Sequence, residues 1–170
     1  KALQKPTALM DPKSIGLKTK EGNWEFRPGP KVKDWNPYKV LPTLTNKTIS
    51  WIENQSVDKP FFLYLALPSP HAPIIPNDAF IGKSNAGGYG DFMVQTDWVV
   101  GQVLETLKNQ GLEDNTLVIF SSDNGPENGV GSAGKYRGRK RSVHEGGIKI
   151  PCLWMWEGKF KPFISDEFYS

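Results

Sequence analysis

At 170 residues the chain is long enough for one domain with a buried core. Its 38% hydrophobic and 23% charged content matches a soluble protein, and no apolar run approaches the roughly 20 residues that span a bilayer. The net charge of +3 is modest, so nucleic acid is not an expected partner. A single cysteine, Cys152, excludes an internal disulfide. It lies in the apolar run IPCLWMW and is expected to be a buried, inert thiol. The N-terminal KALQKPTALMDPK has no apolar core of a signal peptide. It starts at Lys1 rather than Met, as a processed product or an excised piece would, so the compartment is not readable from the ends. Two N-x-S/T sequons, at Asn46 and Asn54, matter only in a secretory eukaryotic protein.

Residues 1–43 are rich in Lys, Pro and Gly and carry no sustained period. Pro6, Pro12, Pro28, Pro30, Pro37 and Pro42 punctuate a stretch that reads as loop or extended chain, unusual within a self-contained domain. Trp24, Trp35 and Tyr38 in this stretch fit either packing or a pocket wall. Residues 44–55 read as a helix with Leu44, Thr48, Trp51 and Ile52 near one face, capped by Thr43 or Thr45. Residues 61–67, FFLYLAL, are bounded by prolines and read as a strand buried on both faces, as in a parallel sheet. PSPHAPIIP, residues 68–76, continues neither element. The clearest helix is 89–110, where Phe92, Thr96, Val99, Val100, Val103, Leu104 and Leu107 recur at helical spacing and Gly111 suits the C′ position. Residues 116–121 are the next buried strand, 125–147 a Gly-rich loop, and 148–156 a further strand in which Pro151 implies an edge or a bulge. The strand–helix–strand order predicts an α/β fold with right-handed crossovers.

The chemistry concentrates where the 116–121 strand stops. Asp123 and Asn124 offer hard oxygen donors suited to Ca²⁺ or Mg²⁺, and Gly125 permits a sharp turn. The plain alternative is an Asx-turn at a strand end. Two adjacent donors do not complete a coordination shell of about six to eight, so other ligands must come from elsewhere. His71, in Pro70-His71-Ala72-Pro73, follows the other buried strand at the same expected sheet edge, where open α/β sheets bind ligands. It suits proton donation to an oxyanion or a leaving group, or it is a loop histidine without a role. His144, beside Glu145-Gly146-Gly147, is a weaker candidate and fits a supporting role. The basic run Lys135 to Arg141 reads as a solvated loop, a heparin-type patch or an anion clamp. GVGSAGKY, residues 129–136, has the G-x-x-x-x-G-K spacing but ends in Tyr136, and it does not sit directly between a strand and a helix, so it is not a phosphate cradle.

Taken in order, these segments resemble part of a type I sulfatase catalytic domain, the arylsulfatase family of the alkaline phosphatase superfamily. The matching pieces are KPFFLY at 59–64, PHAP at 70–73, the 89–107 helix with Asp97, TLVIFSSDNGP at 116–126, and Gly138-Arg139-Lys140 leading to Glu145-Gly146-Gly147-Ile148. They cover roughly residues 44–165, and DNGP followed by K-x-x-x-x-E-G-G is the most specific pair. The resemblance implies an α/β, partial alkaline-phosphatase-like sandwich whose mostly parallel central sheet is flanked by helices. It divides the chain into an irregular segment, 1–43, and a partial catalytic domain, 44–170. It implies Asp123 and Asn124 as ligands of a divalent metal, usually Ca²⁺ with Mg²⁺ possible. It also implies Lys140 and His71 as catalytic and substrate-binding residues on the sulfate, with His71 helping the leaving alcohol. The family's formylglycine nucleophile comes from a C/S-x-P-x-R motif, and that motif does not occur in these 170 residues. The early acidic pair that completes the family's metal site is also missing, as is the Lys/His segment after the nucleophile. The expectation is therefore a middle-to-later piece of the domain, with apolar surface uncovered and no sulfate-ester turnover on its own. The implied substrate is a sulfated small molecule or a sulfated glycan, in a periplasmic, secreted or lysosomal setting. Two alternatives stand beside this reading: a phosphodiesterase or phosphonate hydrolase of the same superfamily, and a noncatalytic sulfated-glycan-binding module using the Lys135 to Arg141 loop.

Overall fold

The computed structural model describes residues 16–19, 22–25, 33 and 35–165. Pro6, Pro12, Pro28 and Pro30 lie outside them. The chain divides into two units, Lys1–Thr106 and Leu107–Ser170.

The first unit contains a two-stranded antiparallel ribbon, β1 (Gly16–Thr19) and β2 (Gly22–Glu25), with Gly16 opposite Glu25 and Thr19 opposite Gly22. A 3-10 turn at Pro37–Lys39 follows, with the Asn36 side chain accepting from the Tyr38 amide at 2.9 Å. Helix α1 spans Val40–Glu53 and starts four residues before the predicted position. Pro42 falls in the first turn, where no intrahelical N–H bond is required, so it does not delay the helix. The buried face is Leu41, Thr45, Thr48 and Ile52, at spacings of four, three and four. Thr45 is fully buried at no polar cost because its hydroxyl donates to the Leu41 carbonyl at 2.9 Å. Trp51 faces outward from this helix and meets the edge of the Phe61 ring, with centroids 5.4 Å apart.

Helix α2, Gly87–Asn109, carries the apolar stripe predicted for it. Phe92 and Val99 are buried with Leu41, Ile74 and Ile75, and Tyr38, Leu67 and Tyr89 pack against this core. Tyr38 is therefore packing rather than pocket wall. Burial also raises the pKa of the Tyr89 phenol. Residues 61–68 correct one expectation. They form no ladder among the described residues. Their side chains alternate, with Phe61, Leu63, Leu65 and Leu67 half-buried and Phe62 and Tyr64 88% and 82% exposed. One face is covered rather than two, because no neighbouring strand lies alongside among the described residues.

In the second unit, Gly111 ends α2 at a φ of 64°. The Gly111 amide bonds the Lys108 carbonyl and the Leu112 amide bonds the Leu107 carbonyl, both at 2.9 Å, while Leu107 and Leu112 are buried. This is the Schellman arrangement with its accompanying apolar contact. Strand β3 (Val118–Ser121) pairs with β4 (Cys152–Met155), Val118 opposite Met155 and Ser121 opposite Cys152. The pairing is antiparallel, whereas a mostly parallel sheet was expected. Parallel return is usually made through a helix, and the helix between these strands, α3, is only Glu145–Ile148. The predicted 148–156 strand is thus shortened to four residues, with Pro151 just before it. Cys152 is exposed rather than buried, because all four residues of β4 are exposed among the described residues.

Candidate active site

His71 belongs to the first unit, on a loop that α2 pins by buried polar contacts. The Thr96 hydroxyl lies 2.8 Å from both the Ser69 hydroxyl and the Phe92 carbonyl, and Ser69 and Thr96 are buried. Beyond the histidine, Ile74 and Ile75 anchor in the core. The Gln95 side chain, 1% exposed, accepts from the Asn77 amide at 2.9 Å and donates to the Asn77 side chain, whose own nitrogen donates to the Tyr38 carbonyl at 3.0 Å. The chain is therefore fastened on both sides of a short exposed tip. At that tip the His71 amide closes a turn onto the Pro68 carbonyl at 3.1 Å. Its Nδ1 lies 2.8 Å from the Ala72 carbonyl. A carbonyl only accepts, so Nδ1 carries the proton and Nε2 is the nitrogen left to gain or give one.

Asp123, Asn124 and Lys140 belong to the second unit. Asp123 follows β3 and is exposed, and its carboxylate makes no hydrogen bond or ion pair among the described residues. The Asn124 side-chain nitrogen donates to the Gly125 carbonyl at 3.0 Å, which leaves Oδ1 as the unused end of the amide. Two adjacent oxygen donors stand uncommitted at the strand end. That chemistry fits a hard divalent cation. No group of three or more His, Cys, Asp or Glu that could hold a metal occurs among the described residues, so Asp123 and Asn124 do not by themselves make a metal site.

Lys140 is tied to this turn by backbone. Its amide donates to the Pro126 carbonyl at 3.0 Å, three residues past Asp123. The Gly125 amide donates to the Gly147 carbonyl at 2.9 Å, and the Gly146 amide to the Arg137 carbonyl at 2.8 Å. Three stretches of main chain, around 125, 138 and 146, therefore lie in direct contact. No side chain fits between them. A Cβ on Gly125 would overlap the Gly146 carbonyl oxygen, one on Gly146 the Gly138 carbonyl, and one on Gly147 the Ser142 carbonyl. The glycines of D-N-G and E-G-G are thus required by close backbone approach. They hold the loop bearing Lys140 against the turn bearing Asp123 and Asn124.

The flanking arginines add to the clamp. Arg139 Nη1 donates to the Glu127 and Gly131 carbonyls at 3.4 and 3.3 Å. Arg141, a non-glycine residue at a φ of 71°, forms a two-point pair with the Glu127 carboxylate at 3.2 and 3.3 Å. Lys140 stands between them, and its ammonium has no hydrogen bond or ion pair among the described residues. Nothing in the sequence signalled that Glu127 partners this basic run, since 14 residues separate it from Arg141. His144 precedes α3, and its side chain makes no capping bond. Residues 129–136 form turns with no helix after them, unlike a phosphate cradle.

The sulfatase family model matches residues 19–170, and the chain belongs to the sulfatase family. It is 34% identical to an N-acetylgalactosamine-6-O-sulfatase of Bacteroides thetaiotaomicron, over 97% of this chain and 37% of that relative. It is 37% identical to human arylsulfatase A, over 68% of this chain and 24% of the relative. Among solved structures, one from work on glycosaminoglycan metabolism by Bacteroides thetaiotaomicron superposes with a TM-score of 0.68 at 38% identity, covering 75% of this chain and 29% of that one. A Pseudoalteromonas sulfatase superposes at 0.65 with 30% identity, covering 81% and 30%. The α/β, alkaline-phosphatase-like class therefore holds, and the chain spans well under half the length of these relatives. No helix among the described residues is long and apolar enough to cross a membrane.

Proposed function

We propose that this chain supplies part of the active site of a sulfuric ester hydrolase acting on sulfated glycans. The observation that carries the reading is the backbone lock that joins Lys140 to the Asp-Asn-Gly turn through Pro126, Gly125 and Gly147. Asp123 and Asn124 would hold a divalent metal, Ca²⁺ by family habit, through the carboxylate and the free amide oxygen. When bound, such a cation neutralises negative charge on the sulfuryl oxygens. Lys140 does the same from a second side as a point charge on a long stem. His71, protonated at Nε2, donates to the leaving oxygen, so that an alcohol rather than an alkoxide departs. Its Nδ1 bond to the Ala72 carbonyl fixes the ring for that task. The reaction also needs a nucleophile. The formylglycine motif of the family is not among these 170 residues, so they do not complete the reaction by themselves. The substrate named for the N-acetylgalactosamine-6-O-sulfatase relative supports the same assignment, and a periplasmic, secreted or lysosomal site of action goes with it.

Calorimetry of Ca²⁺ and Mg²⁺ binding to the chain tests the metal role. Heat of binding in the wild type that vanishes in Asp123→Ala upholds it, and equal heats in both overturn it. Affinity for a monosulfated disaccharide, weakened by Lys140→Gln, tests the sulfate contact. A phosphodiester analogue that binds at least as tightly as the sulfate ester favours the phosphodiesterase alternative.

A further inference from the structure

The loop that carries Lys140 holds more positive charge than one sulfate requires. Residues 126–147 contain five cations, Lys135, Arg137, Arg139, Lys140 and Arg141, against two acids, Glu127 and Glu145. That surplus of three equals the net charge of the entire chain, so the remaining residues balance and the excess lies in this one loop. The loop also borders an open cavity of about 400 Å³ at the surface, lined by Asn128, Tyr136, Arg139, Lys140, Arg141 and Ser142 among others. That volume is within the range of small-ligand pockets and has room for a sugar unit.

The three consecutive cations in its wall are not equivalent. Arg139 is committed to main-chain carbonyls. Lys140 is uncommitted among the described residues. Arg141 is paired with Glu127, but the pair lies at the surface, the two side chains being 77% and 38% exposed. Exposed ion pairs add little stability, so another anion can exchange for the carboxylate at small cost. A guanidinium presented as a two-point fork suits the oxygens of a sulfate or a carboxylate equally.

We propose that this cavity is a subsite for a second anionic group, sulfate or carboxylate, on the same glycan, and that Arg141 receives it in place of Glu127. The inference rests on the reading that Lys140 holds the scissile sulfate. It makes the substrate a polyanionic glycan rather than an isolated monoester. Glu127 acts as an internal stand-in, keeping Arg141 ordered until the substrate anion arrives. Arg141 becomes a specificity residue and Lys140 remains the contact common to all substrates.

The test is equilibrium binding to the chain of three disaccharides: one monosulfated and otherwise neutral, one disulfated, and one monosulfated with a uronate. The disulfated compound should bind about tenfold more tightly than the neutral monosulfate. Glu127→Gln should raise that preference several-fold without altering binding of the neutral monosulfate. Damage to the fold would not move affinity in that direction. Arg141→Gln should abolish the preference. A gain for the uronate equal to that for the second sulfate identifies the subsite as general for anions, and a gain for the disulfate alone identifies it as one for sulfate. A preference unchanged by both variants overturns the proposal. If Lys140→Gln still weakens all three ligands in that case, the sulfate assignment survives and only the subsite falls. If Lys140→Gln is also without effect, or no ligand binds, both fall.

Discussion

Gly147→Ala tests the idea that three backbone stretches meet with no room for a side chain. The new methyl would overlap the Ser142 carbonyl oxygen and come within 2.6 Å of the Arg139 carbonyl. Relief requires the 139–142 segment to move or the Gly125 N–H to Gly147 carbonyl bond, 2.9 Å in the native loop, to break. Overpacking of this kind costs about 1–3 kcal/mol. A lost, partly buried hydrogen bond adds about 1 kcal/mol. The lower entropy of alanine in the unfolded chain returns about 0.5–1 kcal/mol. The net is a destabilisation of about 1–3 kcal/mol. Gly101→Ala is the internal control. Gly101 is exposed within α2, and a Cβ there would meet nothing within 4 Å. Alanine in that helix interior should stabilise by about 0.5–1 kcal/mol, the opposite sign. Urea unfolding followed by tryptophan fluorescence gives both values, and amide exchange at Gly125 reports the broken bond locally. A Gly147→Ala unfolding free energy within about 0.5 kcal/mol of wild type, with Gly125 exchange unchanged, would refute the backbone lock.

Asp91 is buried and accepts from the Gly82 and Ser84 amides at 2.7 and 2.8 Å, and these bonds hold its carboxyl below the usual carboxylate range. Its contribution to stability is therefore present above the unfolded carboxylate pKa and lost as pH falls through the lower folded value. Asp91→Asn should be less stable than wild type at neutral pH, with the gap closing in acid, and a gap independent of pH would contradict this. Thr96→Val strands the buried Ser69 hydroxyl and should cost about 1–3 kcal/mol in urea unfolding, with faster exchange of the His71 amide. Phe92→Ala, in the core shared with Leu41, Ile74 and Val99, should cost about 3–5 kcal/mol by the same assay.

The helices were legible because their signals are local. The α2 stripe and the Gly111 stop follow from spacing within a few residues, whereas on α1 only Thr48 and Ile52 of the expected face are buried and Trp51 is exposed. The start of α1 is less legible, because Pro42 closes a Pro-rich stretch and yet costs nothing in a first turn, whose N–H groups have no intrahelical partner. Strands were less legible. FFLYLAL is as apolar as a doubly covered strand, but coverage depends on neighbours that a single segment does not specify. The burial of Cys152 failed for the same reason. At the site, DNGP and EGG drew attention as residue types. Their reason, the exclusion of every Cβ between three backbone stretches, is a long-range contact with no local sequence signal. The Arg141–Glu127 pair was hidden in the same way, because opposite charges 14 residues apart show no register until the loop between them is closed.

The run 61–68 has one further consequence. Its amide and carbonyl groups have no ladder partners among the described residues, and it alternates half-covered aliphatics with outward Phe62 and Tyr64. An exposed apolar run without ladder partners is a template on which another extended chain can add, and between Pro60 and Pro68 no charged residue interrupts it. Such a run favours association of the chain with itself as its concentration rises. Phe62→Lys or Tyr64→Lys places a gatekeeper on that run and should raise the concentration at which light scattering first reports association.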